Sequence, residues 1–210
     1  MSQGLMIIGA GGHGRVVADM AKRAGKYQKI AFLDDGAPSA EFPYPCLGKS
    51  SDAEKFLNTY DFVVAIGNCS VRKRIMEQLE QLGASFATVI APDAVISEDV
   101  MIGAGTVICP GVVVNTGAIL GKGVVLNTCC SVDHDCEIGD YCHVAVGAHI
   151  CGTVSVAPLC WVGAGATVIN NVNLCAQCFI GAGAVVLHSI ATPGTYAGVP
   201  AKQIKQEEQP

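Results

Sequence analysis

One histidine of this 210-residue chain stands between two carboxylates, a grouping suited to moving a proton. His134 follows Asp133 and precedes Asp135. A carboxylate beside an imidazole fixes its tautomer and raises its basicity, as a general base for an amine or a hydroxyl requires. A solvated surface histidine is the alternative that residue type alone leaves open. The pattern therefore gives a candidate base.

A second candidate is the glycine run GAGGHG, from Gly9 to Gly14, which follows an apolar strand and opens a helix. It fits G-x-G-x-x-G, in which backbone N–H groups at a helix start face phosphates. Asp34 and Asp35 end the next predicted strand and would accept hydrogen bonds from sugar or base donors. The pattern alone suggests an NAD protein, but no second half of a dinucleotide fold follows, so a sugar nucleotide fits better. A tight turn without a ligand stays possible.

The elements that would position this run alternate between strand and helix. Apolar runs predict strands at 5–8, 30–33, 61–66 and 86–90, and helical spacing predicts helices at 14–24 and 70–82. A capping-box pattern at 51–54 opens a short helix, and one apolar face of the last helix would comprise Val71, Ile75, Leu79 and Leu82. We therefore predict a Rossmann-like βαβ unit with a parallel sheet as a domain of residues 1–87.

The period then changes to six. Every sixth residue from Ile90 to Val186, seventeen positions in all, is Ile, Leu or Val, and a second column of small residues lies four positions later. A strict period of six is typical of hexapeptide repeats, so residues 88–210 are predicted to form a left-handed parallel β-helix. Glycines directly after the aliphatic residue are interpreted as its corners: Gly103, Gly121, Gly139, Gly163 and Gly181. After Leu187 the period stops, and residues 188–202 are predicted to be a terminal loop.

Composition and charge exclude some classes of function and indicate a compartment. A net charge of −5 without a basic run argues against nucleic-acid binding, and no segment is long enough to cross a membrane. Eleven cysteines without a secretory signal indicate the cytoplasm. Three of them, Cys142, Cys160 and Cys178, are eighteen residues apart and are expected to stack as a reduced packing column.

Repeat geometry separates two of the histidines. His134 and His143 are nine residues apart, which is half a coil of eighteen, so within one chain they should lie on separate sides. If both serve one site, they come from neighbouring subunits. A three-histidine metal site is the rival interpretation; we disfavour it and expect no metal, because no two histidines are eighteen apart.

Taken together, the motifs resemble a known family. The order is GAGGHG, FLDD, AIGN, a β-helix bearing SVDHD and HVAVGAHICG, and then AGVPAK. This resembles the sugar O- and N-acyltransferases typified by sialic acid O-acetyltransferase. The closest layout is that of the UDP-4-amino-sugar N-acetyltransferases of the bacillosamine pathway. The likeness covers nearly the whole chain.

The resemblance implies acetyl-CoA as co-substrate and a homotrimer with active sites between subunits. It implies His134 as the general base and Asp135 as the acid that raises its basicity, with acetyl-CoA contacts at His143, Ala164 and Ala182. The positions that match the nucleotide-sugar site are Gly11, Gly12, His13, Asp34, Asp35 and Gly67, and Asn127 would orient the sugar.

One departure concerns the acid, which is Asp here and Glu in the bacillosamine enzyme, so a longer hydrogen bond to His134 is expected. The implied reaction is direct acetylation of the amine of a nucleotide-linked 4-amino-4,6-dideoxy sugar, with UDP favoured, in surface glycan or polysaccharide biosynthesis. O-acetylation of sialic acid or another sugar, and a non-catalytic trimeric scaffold, remain alternatives.

Overall fold

The computed structural model describes residues 4–36 and 43–204 and confirms the predicted fold class, a short parallel-sheet unit followed by a parallel β-helix of nearly six coils. The first unit comprises β1 (Gly4–Ile8), α1 (Gly12–Ala24), β2 (Lys29–Leu33), a 3-10 helix (Ser50–Phe56), β3 (Tyr60–Val64) and α2 (Cys69–Gln81). The three strands are parallel in the order β2-β1-β3. Their carboxyl ends therefore share one edge, where the glycine run follows β1.

The sheet is buried on both sides because its side chains alternate between two layers. Leu5 and Ile7 of β1 pack with α1, in one continuous core with the interior of the β-helix. Met6 and Ile8 pack on the other side with α2. A shared core joins the two parts of the chain, and the domain division at residues 87 and 88 stays a prediction.

Two predicted elements of this unit differ in the structure. The fourth strand, at 86–90, is wrong as one element. Phe86 makes only an isolated parallel bridge to Phe62, and Val89–Ile90 is the first strand of the β-helix. The short helix begins at Ser50, because the backbone N–H of Lys49 donates to the Asp52 carboxylate at 2.9 Å. That reach-back bond places the helix cap at Lys49, two residues before the predicted Ser51.

The buried face of α2 also differs from the predicted one. Leu79 is buried as expected, but Leu82 is 47% exposed and lies at the C-cap. Arg72 and Met76 complete the buried stripe instead. A charged side chain thus takes a position that an apolar pattern cannot predict.

All seventeen predicted aliphatic positions end a β-helix strand, and these strands form three parallel sheets, here called faces 1, 2 and 3. Face 1 contains Val89–Ile90, Val107–Ile108, Val125–Leu126, His143–Val144, Trp161–Val162 and Cys178–Ile180. Face 2 contains Val95–Ile96, Val113–Val114, Ser131–Val132, His149–Ile150, Thr167–Val168 and Val185–Val186. Face 3 contains Met101–Ile102, Ile119–Leu120, Glu137–Ile138, Ser155–Val156 and Asn173–Leu174.

The interior is filled by the two predicted columns. From Ile108 onward every aliphatic residue of the repeat is buried. The cysteines at 142, 160 and 178 are buried in the second column, and all eleven cysteines of the chain are free. The interpretation of these three as packing residues is therefore confirmed.

The corners differ from their prediction. A positive φ occurs three residues after the aliphatic residue, at every sixth position from 105 to 183, and seven of these fourteen positions are not glycine. The five glycines predicted to turn the corners have no positive φ. They allow close stacking instead, since a Cβ on Gly103 would lie 2.5 Å from the carbonyl oxygen of Gly121 in the next coil.

The segment predicted as a terminal loop contains further strands. Gly194–Ala197 adds in parallel to Cys178–Ile180 on face 1, and Lys202–Ile204 pairs with it antiparallel. This hairpin extends face 1 beyond the last full coil. Among the described residues, no helix is long and apolar enough to cross a membrane.

Candidate active site

His134 lies at the corner between faces 2 and 3, where its side chain is 47% exposed. Its Nδ1 is 2.9 Å from Oδ2 of Asp135, whose backbone has a φ of 56° at the left-handed corner position. This bond raises the pKa of His134, with smaller contributions from the two flanking carboxylates. The 2.9 Å bond has an ordinary length for an N–H···O contact, and the comparison with a glutamate at this position stays a prediction.

The backbone of this corner is held by the carboxylate before the histidine. Oδ1 of Asp133 accepts from the backbone N–H of His134 at 2.8 Å and from Nδ2 of Asn115 at 2.7 Å. The amide of Asn115 lies one coil below. Since Nδ1 donates to Asp135, Nε2 carries the lone pair of the neutral ring. The arrangement suits a base with its accepting atom directed away from its carboxylate.

His143 lies on face 1 and is buried where the first unit meets the β-helix. Its Nδ1 is 3.2 Å from the carbonyl oxygen of Gly67, and its Nε2 is 3.2 Å from Nδ2 of Asn127. Oδ1 of Asn127 accepts from the backbone N–H of Thr128, which turns the amide nitrogen toward the ring. His143 is therefore the neutral tautomer that donates from Nδ1, and burial lowers its pKa to about 4.

The glycine run lies beside His143. Gly11 is the N-cap of α1, and a Cβ on Gly11 or Gly12 would meet nothing within 4 Å, so this side of the loop is open to a ligand. The ring of His13 is 6.3 Å from that of His143. Burial lowers the pKa of His13 to about 4, and its Nε2 is buried without a partner among the described residues.

The two aspartates after β2 already have partners. Oδ2 of Asp34 accepts from the backbone N–H of Ala10 at 2.6 Å, which ties the glycine run to the end of β2. Asp35 accepts from Oγ and from the backbone N–H of Ser50, and these bonds lower the pKa of its carboxyl. Asp34 therefore supports the loop structurally, in addition to the binding role expected for it.

Sequence reasoning missed Arg72, a fully buried cation at this junction. Its guanidinium donates to backbone carbonyls on both sides of the junction, namely those of Ile66, Gly67, Gly123, Tyr141 and Cys142. Gly67 therefore accepts from both Arg72 and His143. The signal was present in the sequence, since Arg72 is in helical phase with Met76 and Leu79.

A ladder of aromatic side chains was also missed. His143, Trp161 and Phe179 are eighteen residues apart and stack along face 1, with ring centroids 4.0 Å and 5.9 Å apart. An open cleft of about 520 Å³ lies between this ladder and the start of α2. The eighteen-residue spacing of the rings is visible in the sequence. That they line a cleft can be recognised only once the position of α2 beside face 1 is known.

The two predicted alanines lie at a different corner from His134. Ala164 and Ala182 are exposed between faces 1 and 2, and the carbonyl of Ala164 accepts from the N–H of Gly183. Within one chain, His143, Asn127, His13 and the glycine run are together, while His134 and Asp135 are apart on another side of the prism. In the described ranges, no group of three or more His, Cys, Asp or Glu side chains is arranged to hold a metal ion.

Comparison with known proteins gives this geometry a context. Residues 4–79 match the family described as the PglD N-terminal domain. The UDP-N-acetylbacillosamine N-acetyltransferase of Bacillus subtilis (strain 168) is 34% identical over 96 residues. That match covers 44% of this chain and 44% of the relative, so it spans less than half of the relative's length.

Solved structures match over nearly the full length. The acetyltransferase domain of PglB from Neisseria gonorrhoeae FA1090 is 37% identical with a TM-score of 0.93, covering 97% of this chain and all of that one. Its complex with acetyl coenzyme A is equally similar in fold, with a TM-score of 0.93. PerB from Caulobacter crescentus, in complex with CoA and GDP-perosamine, is 32% identical with a TM-score of 0.91 over 96% of this chain and 97% of that one.

The fold and the similarity to these solved structures place the chain in the class of acetyl-CoA-dependent sugar acetyltransferases built on a parallel β-helix. Within this class, the chain belongs to the family of sugar N-acetyltransferases represented by the PglB acetyltransferase domain and PerB.

Proposed function

We propose that this chain transfers the acetyl group of acetyl-CoA to the amine of a nucleotide-linked 4-amino-4,6-dideoxy sugar, with His134 as general base. The observation that carries the proposal is the His134–Asp135 pair, whose 2.9 Å bond leaves Nε2 as the accepting atom at an exposed corner. This placement differs from that of His143, which is buried, neutral and bonded at both ring nitrogens. Of the two, His134 is the one with a ring nitrogen that has no hydrogen-bond partner among residues 4–36 and 43–204.

The chemistry is a direct acyl transfer. Nε2 of His134 takes a proton from the amine as its nitrogen attacks the thioester carbonyl, and a C–N bond forms. The tetrahedral intermediate then collapses, the C–S bond breaks, and the CoA thiolate recovers the proton from His134. The products are the amide and CoA, and Asp135 stabilises the imidazolium that exists between the two steps.

The nucleotide sugar is proposed to lie on the first unit, over Gly11 and Gly12. The open space at these glycines and the start of α1 suit a diphosphate. His13 belongs to this loop, Gly67 and Asn127 bond to His143 beside it, and His143 would contact the acetyl-CoA that enters there. UDP is the nucleotide of the Bacillus relative and GDP that of the PerB complex, so both belong in the test; we favour UDP.

A homotrimer is part of the proposal. Four outward-facing apolar side chains in the first two coils of faces 2 and 3 are more than a third exposed: Val95, Met101, Val113 and Ile119. Such a patch suits packing against a second copy of the chain. A copy placed there would bring a neighbour's surface near the corner that carries His134. Eleven free cysteines support a reducing compartment, and we propose the cytoplasm.

The test is release of the CoA thiol with UDP- and GDP-linked 4-amino sugars as acceptors. We expect turnover that depends on the amine, with the matching 4-hydroxy sugar inactive. In His134→Ala, turnover should fall by about 10² to 10⁴, because general-base catalysis contributes that much. Binding of the nucleotide sugar, measured by calorimetry, should be kept.

His149→Ala is the matched control, since His149 is an exposed histidine of face 2 whose ring, among the described residues, bonds to Oγ of Ser131 and to no carboxylate. Near-normal turnover of His134→Ala would contradict the assignment of the base. Thiol release with hydroxyl acceptors alone would contradict the acetylation of an amine.

A further inference from the structure

Gly152 lies directly against the imidazole of His134. The two residues are eighteen apart and occupy the same corner of successive coils, where the backbone N–H of Thr153 donates to the carbonyl of His134 at 2.9 Å. A Cβ placed on Gly152 would be 2.6 Å from Cε1 and 3.0 Å from Cδ2 of His134, and closer still to Nε2. The ring therefore fills the space that a side chain would take.

The backbone does not explain this glycine. Gly152 has no positive φ, so any residue can adopt its conformation. The equivalent step of the repeat, two residues after each aliphatic residue from Pro92 to His188, is filled by a side chain at the other sixteen positions. The fold thus accepts side chains at this step, and glycine occurs only in the coil that faces the histidine.

The ring edge over Gly152 is the chemically important one. With Nδ1 bonded to Asp135, Nε2 is the atom that accepts the proton, and Nε2 is the ring atom nearest to the missing Cβ. A methyl group at 152 would cover this atom and turn the ring about its side-chain torsions. The 2.9 Å bond to Asp135 would then be lost, because the carboxylate cannot follow a rotated ring from a fixed corner backbone.

We propose that Gly152 is a positioning residue for acetyl transfer: its missing side chain seats the His134 ring against Asp135 and leaves Nε2 open to the amine. This inference rests on the proposed role of His134 as base. The proposed effect of the missing side chain is exerted through the imidazole.

The test is Gly152→Ala, studied in the full chain. We expect kcat to fall at least tenfold, the KM values for both substrates to stay within twofold, and the thermal midpoint to be unchanged, because the exposed ring can turn away without disturbing the core. NMR titration should show the pKa of His134 falling toward its ordinary value as the bond to Asp135 is lost. In a His134→Ala background, Gly152→Ala should cause no further loss of turnover.

Asn170→Ala is the matched control, since Asn170 is an exposed side chain at the same corner one coil further on. It should leave both turnover and the His134 titration unchanged. An unaltered His134 titration and near-normal kcat in Gly152→Ala would overturn the seating role. Normal turnover of His134→Ala would instead overturn the proposed base, and the titration separates the two failures because it needs no activity.

Discussion

The pair of His134 and Asp135 determines how the rate should depend on pH. A general base must be neutral, and the hydrogen bond from His134 to Asp135 raises the pKa of the imidazole above 6.5. We therefore expect kcat/KM to be low in acid and to rise with pH through a midpoint above 6.5. His143 does not contribute to this rise, because its pKa of about 4 keeps it neutral throughout.

Asp135→Asn should move this midpoint to lower pH, since the carboxylate that stabilises the imidazolium is removed. The plateau at high pH should fall by roughly 10- to 100-fold, because a weaker and less well oriented base accepts the proton. The measurement is the pH profile of kcat/KM for both proteins. An identical midpoint in the variant would show that Asp135 does not set the basicity of His134.

Residue types alone identified this pair, because a histidine next to a carboxylate is a local feature of the sequence. They could not show that Asp34 already bonds to the glycine run, or that Asn127 bonds to His143. Those partners lie 24 and 16 residues away, and only the folded backbone brings them together.

At the scale of elements, Arg72 fastens α2 and the loop before it to the β-helix. It is fully buried, and among the described residues no carboxylate lies within ion-pair distance, so its guanidinium bonds mainly to backbone carbonyls. Arg72→Met would leave the carbonyls of Ile66, Gly123 and Tyr141 without this donor. Since an unsatisfied buried acceptor costs about 1–3 kcal/mol, we expect a loss of about 3 kcal/mol in the free energy of unfolding.

Urea unfolding measures this loss, and Arg74→Met is the matched control because Arg74 lies on the exposed side of the same helix. Arg74→Met should change the free energy of unfolding by less than about 0.5 kcal/mol. Equal stability of the two variants would contradict the role assigned to Arg72.

The elements differ in how far the sequence could predict them. Seventeen aliphatic residues in one phase predicted every strand of the β-helix up to Val186, because the repeat leaves no competing register. The prediction of a single strand at 86–90 was wrong because an apolar run at the end of a sheet has the same sequence pattern as one at the start of a solenoid. The left-handed corners were missed because glycine fills only half of them, and residues such as Asp135 and Asn171 fill others.

At the scale of the whole molecule, the candidate site residues of one chain lie in two separate places. The glycine run, His13 and His143 meet on face 1, while His134 is at the corner of faces 2 and 3. We therefore propose that a complete site forms where His134 of one subunit meets the nucleotide site of its neighbour. Such a shared site would link the repeat geometry, the oligomer and the chemistry.

Mixed trimers of His134→Ala and His143→Ala chains test it most directly. Each variant alone should be impaired in thiol release. In an equal mixture reassembled from separated chains, a site shared between subunits combines an intact His134 with an intact His143 in about one quarter of cases, so about one quarter of the wild-type activity should return. Activity that stays at the level of the two single variants would contradict a shared site and place both histidines in sites formed within one chain.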